Sequence, residues 1–341
     1  MGFFKSFTQK VNYQSRFNSK PTLDHQLLNI NNIFLDIKGY LAESHLAMGW
    51  IGIWITIVFF IPAIIYLDYG LISTIISSQN NIDWNNVSYT PMLLISLANI
   101  AFLALGFGWS WWNIKDLKKT SPIRFNRETQ KVQAIIMGHL CEADWQNIKA
   151  GFAVQRMAYG YVVETRDVVR FYLKSTKNPG KEFAAVIQTS NSLESDFDGC
   201  KMVWEYLRHF MFEGPDQLPI IPANKSERVG QFQQASYTPK QALERRWFWP
   251  IYSANDTKDD KIANTLFWPI KVVLFVPNLL TDMIWHWMLQ KLGGGFAKLP
   301  DDTFEDSATG CISPLSLNKV IRNDEEFLTF TDAKQRLADM S

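Results

Sequence analysis

The residues in this chain whose types suit chemistry are not spaced to perform it together. The five histidines, His25, His45, His139, His209 and His286, are scattered. None belongs to a His-Glu-x-x-His pattern, which places two imidazoles on one helical face around zinc. Cys141, Cys200 and Cys311 are far apart, odd in number and without metal-ligand spacing, so they read as reduced thiols of a cytosolic compartment. The acidic pairs Asp259-Asp260, Asp301-Asp302 and Glu325-Glu326 read as solvated carboxylates. Gly293-Gly294-Gly295 follows no evident strand and reads as a flexible joint rather than a phosphate loop. The sequence contains neither a Gly-x-x-x-x-Gly-Lys-Ser/Thr loop nor a Gly-x-Ser-x-Gly elbow. The expectation is a protein that is not an enzyme, with no catalytic residue, no metal and no cofactor.

The elements that would carry side chains to a site are dominated by apolar runs. Residues 46–67 and 84–114 hold no charged side chain, and each run is longer than the roughly 20 residues a helix needs to cross a bilayer. Residues 46–114 therefore read as a transmembrane helical hairpin, with a phospholipid bilayer as the first expected partner. A net charge of +1 gives no general attraction to nucleic acid, and none is expected as a partner.

Lysine and arginine set the orientation. Residues 1–45, a polar N-terminal segment, carry Lys5, Lys10, Arg16, Lys20 and Lys38, and the exit from the second run carries Lys115, Lys118, Lys119, Arg124 and Arg127. The connection 68–91 has neither Lys nor Arg, so both termini are expected to be cytoplasmic. Trp50, Trp54, Trp109, Trp111 and Trp112 suit the aromatic belt at head-group depth. Asn99 lies inside the second run, where an amide needs a partner, either across the hairpin or on another helix.

After the hairpin the periodicity changes. "PIRFNRETQKVQAII" reads as strand, turn and strand, "YGYVVETRDVVRFYLKS" as strands with a turn at "ETRD", and "NPGKEFAAVIQTS" as a turn and a further strand. Leu193, Phe197, Cys200, Trp204, Leu207 and Met211 then recur at spacings of three and four, one apolar stripe of a helix over 192–212 with Ser192 as its N-cap. Short antiparallel strands closed by one helix, over 121–214, resemble the pleckstrin-homology-like architecture. The resemblance implies a module for lipid head groups or for a protein partner.

Phe-Trp-Pro then occurs twice, at 248–250 and 267–269, in an aromatic-rich segment over 245–292 reached by a linker over 215–244. Proline disfavours helical geometry in the residue before it, so Pro250 and Pro269 read as helix starts. Trp247, Trp249, Trp268, Trp285 and Trp287 are expected at the interface, as is His286. A third membrane span and a soluble aromatic core are the alternatives. A polar tail over 293–341 follows. The fold class expected is an α+β membrane protein: a two-helix transmembrane hairpin, a pleckstrin-homology-like β domain with a C-terminal capping helix, and an interfacial aromatic helical segment.

The hairpin, the "PIRFNRETQKVQAI" opening with Trp145 downstream, and the aromatic-proline segment before "LPDDTFEDSA" together resemble a family of proteobacterial inner-membrane proteins encoded beside type VI secretion effectors. That resemblance implies an immunity protein of the bacterial inner membrane, protecting against a membrane-acting, pore-forming effector, with the cognate secreted toxin as a partner. The alternative is a membrane-tethered scaffold or lipid-sensing regulator that uses the pleckstrin-like module.

Overall fold

The structure, a computed structural model, describes residues 8–23, 26–78, 90–159, 162–189, 197–222, 243, 258–291, 296–299, 311–322 and 324–340. Strands β1 (Gln9–Val11), β2 (Leu27–Ile30) and β3 (Phe34–Ile37) come first. Helix α1 (Tyr40–Ile55) runs through a π turn (Thr56–Phe60) into α2 (Ile61–Ser78), and α3 (Thr90–Leu117) follows. Next are β4 (Ile123–Asn126), β5 (Lys131–Ile136), β6 (His139–Asp144), β7 (Lys149–Tyr159), β8 (Val162–Ser175), β9 (Glu182–Gln188) and α4 (Asp198–Phe212). The chain continues with β10 (Pro219–Ile220), α5 (Lys258–Val273), α6 (Phe275–Lys291), α7 (Pro314–Leu317), β11 (Leu328–Thr329) and α8 (Phe330–Ala338). Its contacts divide it into a sheet unit (1–44, 116–233 and 296–341) and a helical unit (45–115 and 234–295).

In the sheet unit the strands form one curled antiparallel sheet in the order β1-β7-β8-β6-β5-β4-β3-β2, with β9 beside β8. Apolar residues of the sheet and α4 make the core. Trp204 stacks on Trp145 and Phe171, and Phe125 meets both Trp145 and Phe171 edge-on. The stripe read from the sequence supplies this layer, since Phe197, Cys200, Trp204, Leu207 and Met211 are all buried. Arg124 and Asp36, on the paired strands β4 and β3, are buried as a two-pronged ion pair at 2.7 and 2.8 Å. Arg124 also lies over the Phe34 ring. Two charges taken out of water together are tolerable when each satisfies the other's hydrogen-bonding groups.

Three features of this unit differ from the sequence reading. The N-terminal segment contributes β1, β2 and β3 to the sheet, and Asn31 builds the β2–β3 turn by accepting from the N–H groups of Ile33 and Phe34. No turn occurs at "ETRD": β8 runs straight through it, because β7 pairs with it residue by residue from Lys149↔Tyr172 to Tyr159↔Val162. Helix α4 begins at Asp198, after Phe197 in a left-handed conformation, while the N-cap read at Ser192 falls outside the described residues. The tail is also part of this unit. β11 pairs with β10, Ile312 bridges to Ile30, and the Ala297 N–H donates to the Thr120 carbonyl.

In the helical unit, Met48–Gly70 and Leu93–Leu117 are each long and apolar enough to cross a membrane. Thr265–Val273 and Phe275–Leu289 form a further apolar pair, bent by 59°. Proline accounts for that bend. Pro277, in the first turn of α6, has no N–H for the Val273 carbonyl, and its ring crowds the same group. Pro269, expected to start a helix, lies inside α5. The helix absorbs one missing bond there.

Candidate functional site

Apolar helices leave few polar side chains, so those that are buried identify the place where the helical unit is built for something specific. Among its described residues Thr56, Ser110, Asn113, Thr281, Asp282 and His286 are all buried. They line two seams that share α1.

The first seam joins α1 to α6. The Trp50 indole N–H donates to Asp282 Oδ1 at 2.7 Å, and the Trp54 N–H donates to Asn278 Oδ1 at 2.9 Å. Numbers rise along α1 as they fall along α6, so the two helices are antiparallel here, with one rung per helical turn. Gly49 continues the series: a Cβ on it would collide with the outer edge of the Trp285 ring, so only glycine leaves room for that indole against the backbone. Asn278, Asp282 and His286 recur every four residues on α6, and Trp50 and Trp54 are likewise four apart. That spacing puts each set on one helical face. The same spacing is present in the sequence, within a segment dominated by aromatic residues.

The second seam joins α1 to α3. Gly106 and Ser110 form a small-x-x-x-small pair, the spacing that lets two helix backbones approach closely. A Cβ on Gly106 would collide with the Thr56 side chain, and one on Gly52 would lie 2.6 Å from Ser110 Oγ. Ser110 donates to the Gly49 carbonyl at 2.8 Å and Trp109 Nε1 to the Met48 carbonyl at 3.2 Å. The π turn falls at this contact. Thr56 donates its hydroxyl to the Gly52 carbonyl and accepts the Ile61 N–H on its own carbonyl, five residues back. Such turns often mark places where a helix is shaped for function. Gly108 has open space around it, so the close approach belongs to Gly106 with Ser110.

The residues expected at the interface separate into groups. Trp109, Trp111, Trp112 and Trp287 are exposed, and Trp54 and Trp268 are half-buried. Trp50 and Trp285 differ from the expectation: both are buried between helices, because Asp282 binds the first and Gly49 admits the second. His286 is buried as well. Trp247 and Trp249 lie outside the described residues. Asn99 is half-buried and donates its amide to Asp68 Oδ1 at 2.8 Å, a contact between α3 and α2 across the hairpin.

The seams are suited to holding helices in register. Among the described residues no group of three or more His, Cys, Asp or Glu is arranged to hold a metal ion. In the sheet unit, burial pushes the Cys141 thiol up to about 11 and the Cys200 thiol up to about 12, so both are weak nucleophiles at neutral pH. An open groove of about 400 Å³ beside β6, β8 and β9 is lined by Glu142, Asp144, Lys149, Lys174 and Glu182, with Lys149 paired to Glu182 at 2.8 Å.

Residues 99–276 match a family of unknown function (DUF6708). The chain belongs to this family. The matched region begins at Asn99 on α3, takes in β4 to β9 and α4, and ends one turn before Leu280 on α6. No curated protein and no solved structure matches the chain.

Proposed function

We propose that this member of the family is a bacterial inner-membrane immunity protein, which protects its producer from a membrane-acting, pore-forming effector delivered by a type VI secretion system. Its action is binding rather than catalysis. The observation that carries this reading is the surface of the hairpin beyond the Thr56–Gly106 contact. There α2 and α3 turn Ile65, Tyr66, Tyr69, Leu94, Leu97 and Ile100 outwards. In a membrane such a surface meets lipid or another apolar helix, and an effector helix entering from outside would reach it first. The Lys and Arg of 1–45 and 115–131 support a cytoplasmic sheet unit in this reading.

The groove beside β6, β8 and β9 lends the lipid-sensing alternative no support. Three carboxylates and two lysines line it, whereas a head-group phosphate calls for an excess of positive charge.

Deleting the gene from an effector-secreting strain and growing the mutant with its parent tests the proposal. The mutant should be killed, and re-expression should rescue it. Survival equal to the parent's while the secretion system fires would remove the immunity reading.

A further inference from the structure

The chain leaves the sheet unit twice and returns twice, and paired strands bracket each departure. Around 45–115 the brackets are β3 and β4, in register from Phe34↔Asn126 to Ile37↔Ile123. Around 234–295 they are β10 and β11, with Pro219↔Thr329 and Ile220↔Leu328, reinforced by the Ala297–Thr120 hydrogen bond at 2.9 Å. Strands of one sheet unit cannot pair across a bilayer. Each departure must therefore cross the membrane an even number of times.

The first departure contains two helices able to cross, which satisfies the rule. The second contains one apolar stretch of sufficient length, the bent pair of α5 and α6. The uncharged stretches before it, 229–239 and 247–255, fall well short of the roughly 20 residues a crossing needs. One crossing alone would leave the tail on the wrong side to pair with β10.

We infer that α5 and α6 form a re-entrant element, which enters the leaflet on the sheet unit's side and leaves by the same face. The acyl chains of that leaflet are the partner of α5. The inference rests on the membrane reading of the hairpin and extends it. Two features of the helical unit fit this element. The Trp50–Asp282 and Trp54–Asn278 rungs pair α6 with the first third of the Met48–Gly70 span, not with its far end. At Leu274 the chain then turns by 59°, so α5 runs more across α6's direction than along it. Ile262, Leu266, Ile270 and Val273 form one exposed apolar stripe on α5, the surface an interfacial helix buries among lipid chains.

Single cysteines placed in the full chain test the inference, with Cys311→Ser removing the exposed native thiol. Cys141 and Cys200 stay, because burial keeps their thiols protonated and unreactive to maleimide at neutral pH. The positions are Ser73→Cys beyond the span on α2, Lys261→Cys at the start of α5 and Lys334→Cys on α8. A membrane-impermeant maleimide is applied to intact spheroplasts and to inverted vesicles. Positions 261 and 334 should label from the same face and position 73 from the opposite one. Labelling of 261 and 334 from opposite faces overturns the re-entrant element while leaving the hairpin in place. Labelling of 73 and 334 from the same face overturns the membrane reading itself, and the inference with it. A fluorophore on Leu266→Cys in proteoliposomes should be quenched by brominated acyl chains. Absence of quenching would remove lipid as the partner of α5.

Discussion

Trp204→Ala is the most informative single change in the sheet unit. The side chain is fully buried, 5.3 Å from the Trp145 ring at an interplanar angle of 26° and 6.0 Å from Phe171 at 17°. Its Nε1 also donates to the Ser15 carbonyl at 3.1 Å, so it ties the N-terminal segment to α4. Truncating a buried Trp to Ala costs about 3–5 kcal/mol, transfer and cavity terms together. Within that figure each aromatic pair is worth about 0.5–1.5 kcal/mol beyond its area, and the hydrogen bond about 1 kcal/mol. With both ring contacts and the hydrogen bond lost, the expected value lies at the upper end, about 5 kcal/mol. Trp204→Phe keeps a ring between the same neighbours and forfeits the N–H bond and some volume, for about 1–2 kcal/mol. Domains are stable by only about 5–15 kcal/mol, so the Ala variant should lose a large part of its stability. Pulse proteolysis of the full-length chain in detergent, across a urea series, gives both values from the shift in midpoint. A loss below about 1 kcal/mol for Trp204→Ala, or equal losses for Ala and Phe, would refute the stacked core.

Four further outcomes are expected. Gly106→Leu should separate α1 from α3 and destabilise the chain in detergent by about 1–3 kcal/mol, whereas Gly108→Leu, which meets open space, should leave thermal unfolding unchanged. A double-mutant cycle on Trp50→Phe and Asp282→Ala should return a coupling between about 0.6 and 1.7 kcal/mol, the scale such cycles give for hydrogen bonds between helices in lipid; additive losses would contradict the rung. Asp36→Ala leaves Arg124 buried and should cost about 3–5 kcal/mol, while the pair Asp36→Leu with Arg124→Met should be nearly neutral in the same urea assay. Glu325 forms a two-pronged pair with Arg336, whose hydrogen bonds hold its carboxyl down from 4.5 to about 2. A depressed carboxyl stabilises above its unfolded pKa and loses that contribution as pH falls through its folded one. The stability difference between wild type and Arg336→Gln should therefore be flat above about pH 5 and shrink towards zero near pH 2.

The hairpin and the α4 stripe were legible because their signals are local: an uncharged run of sufficient length, and apolar residues recurring at helical spacing. The N-terminal strands were harder to see. Each has only three or four residues, and β3 finds β4 only after the whole hairpin has intervened. The cue that remained was the Asn31-Asn32 turn between "LLNI" and "FLDI". "ETRD" reads as a turn by composition, yet pairing with β7 overrides the local preference. Trp268-Pro269 signals a helix start by backbone sterics, and its position inside α5 shows the helical environment outweighing one lost hydrogen bond. In the site, the tryptophans were recognised but their surroundings were not. Whether an indole N–H meets water at head-group depth or a carboxylate on a neighbouring helix depends on Asp282, more than two hundred residues away in sequence.

The bracketed departures also order events in folding. β3 cannot pair with β4 until the chain between them has been made, and β1 waits longer for β7, with Val11 opposite Ala150. Pairings between distant segments carry a loop-closure cost, which an inserted hairpin with its ends together has already met. β1, β2 and β3 should therefore join the sheet only after the segment between β3 and β4 has folded back on itself. The tail is last, because β11 and the Ile30–Ile312 bridge need the re-entrant element to have returned. On the proposed membrane reading, a completed sheet unit forms only after each departure has returned to the side it left, which would couple the fold of the sheet to correct insertion of the surface proposed to meet an effector.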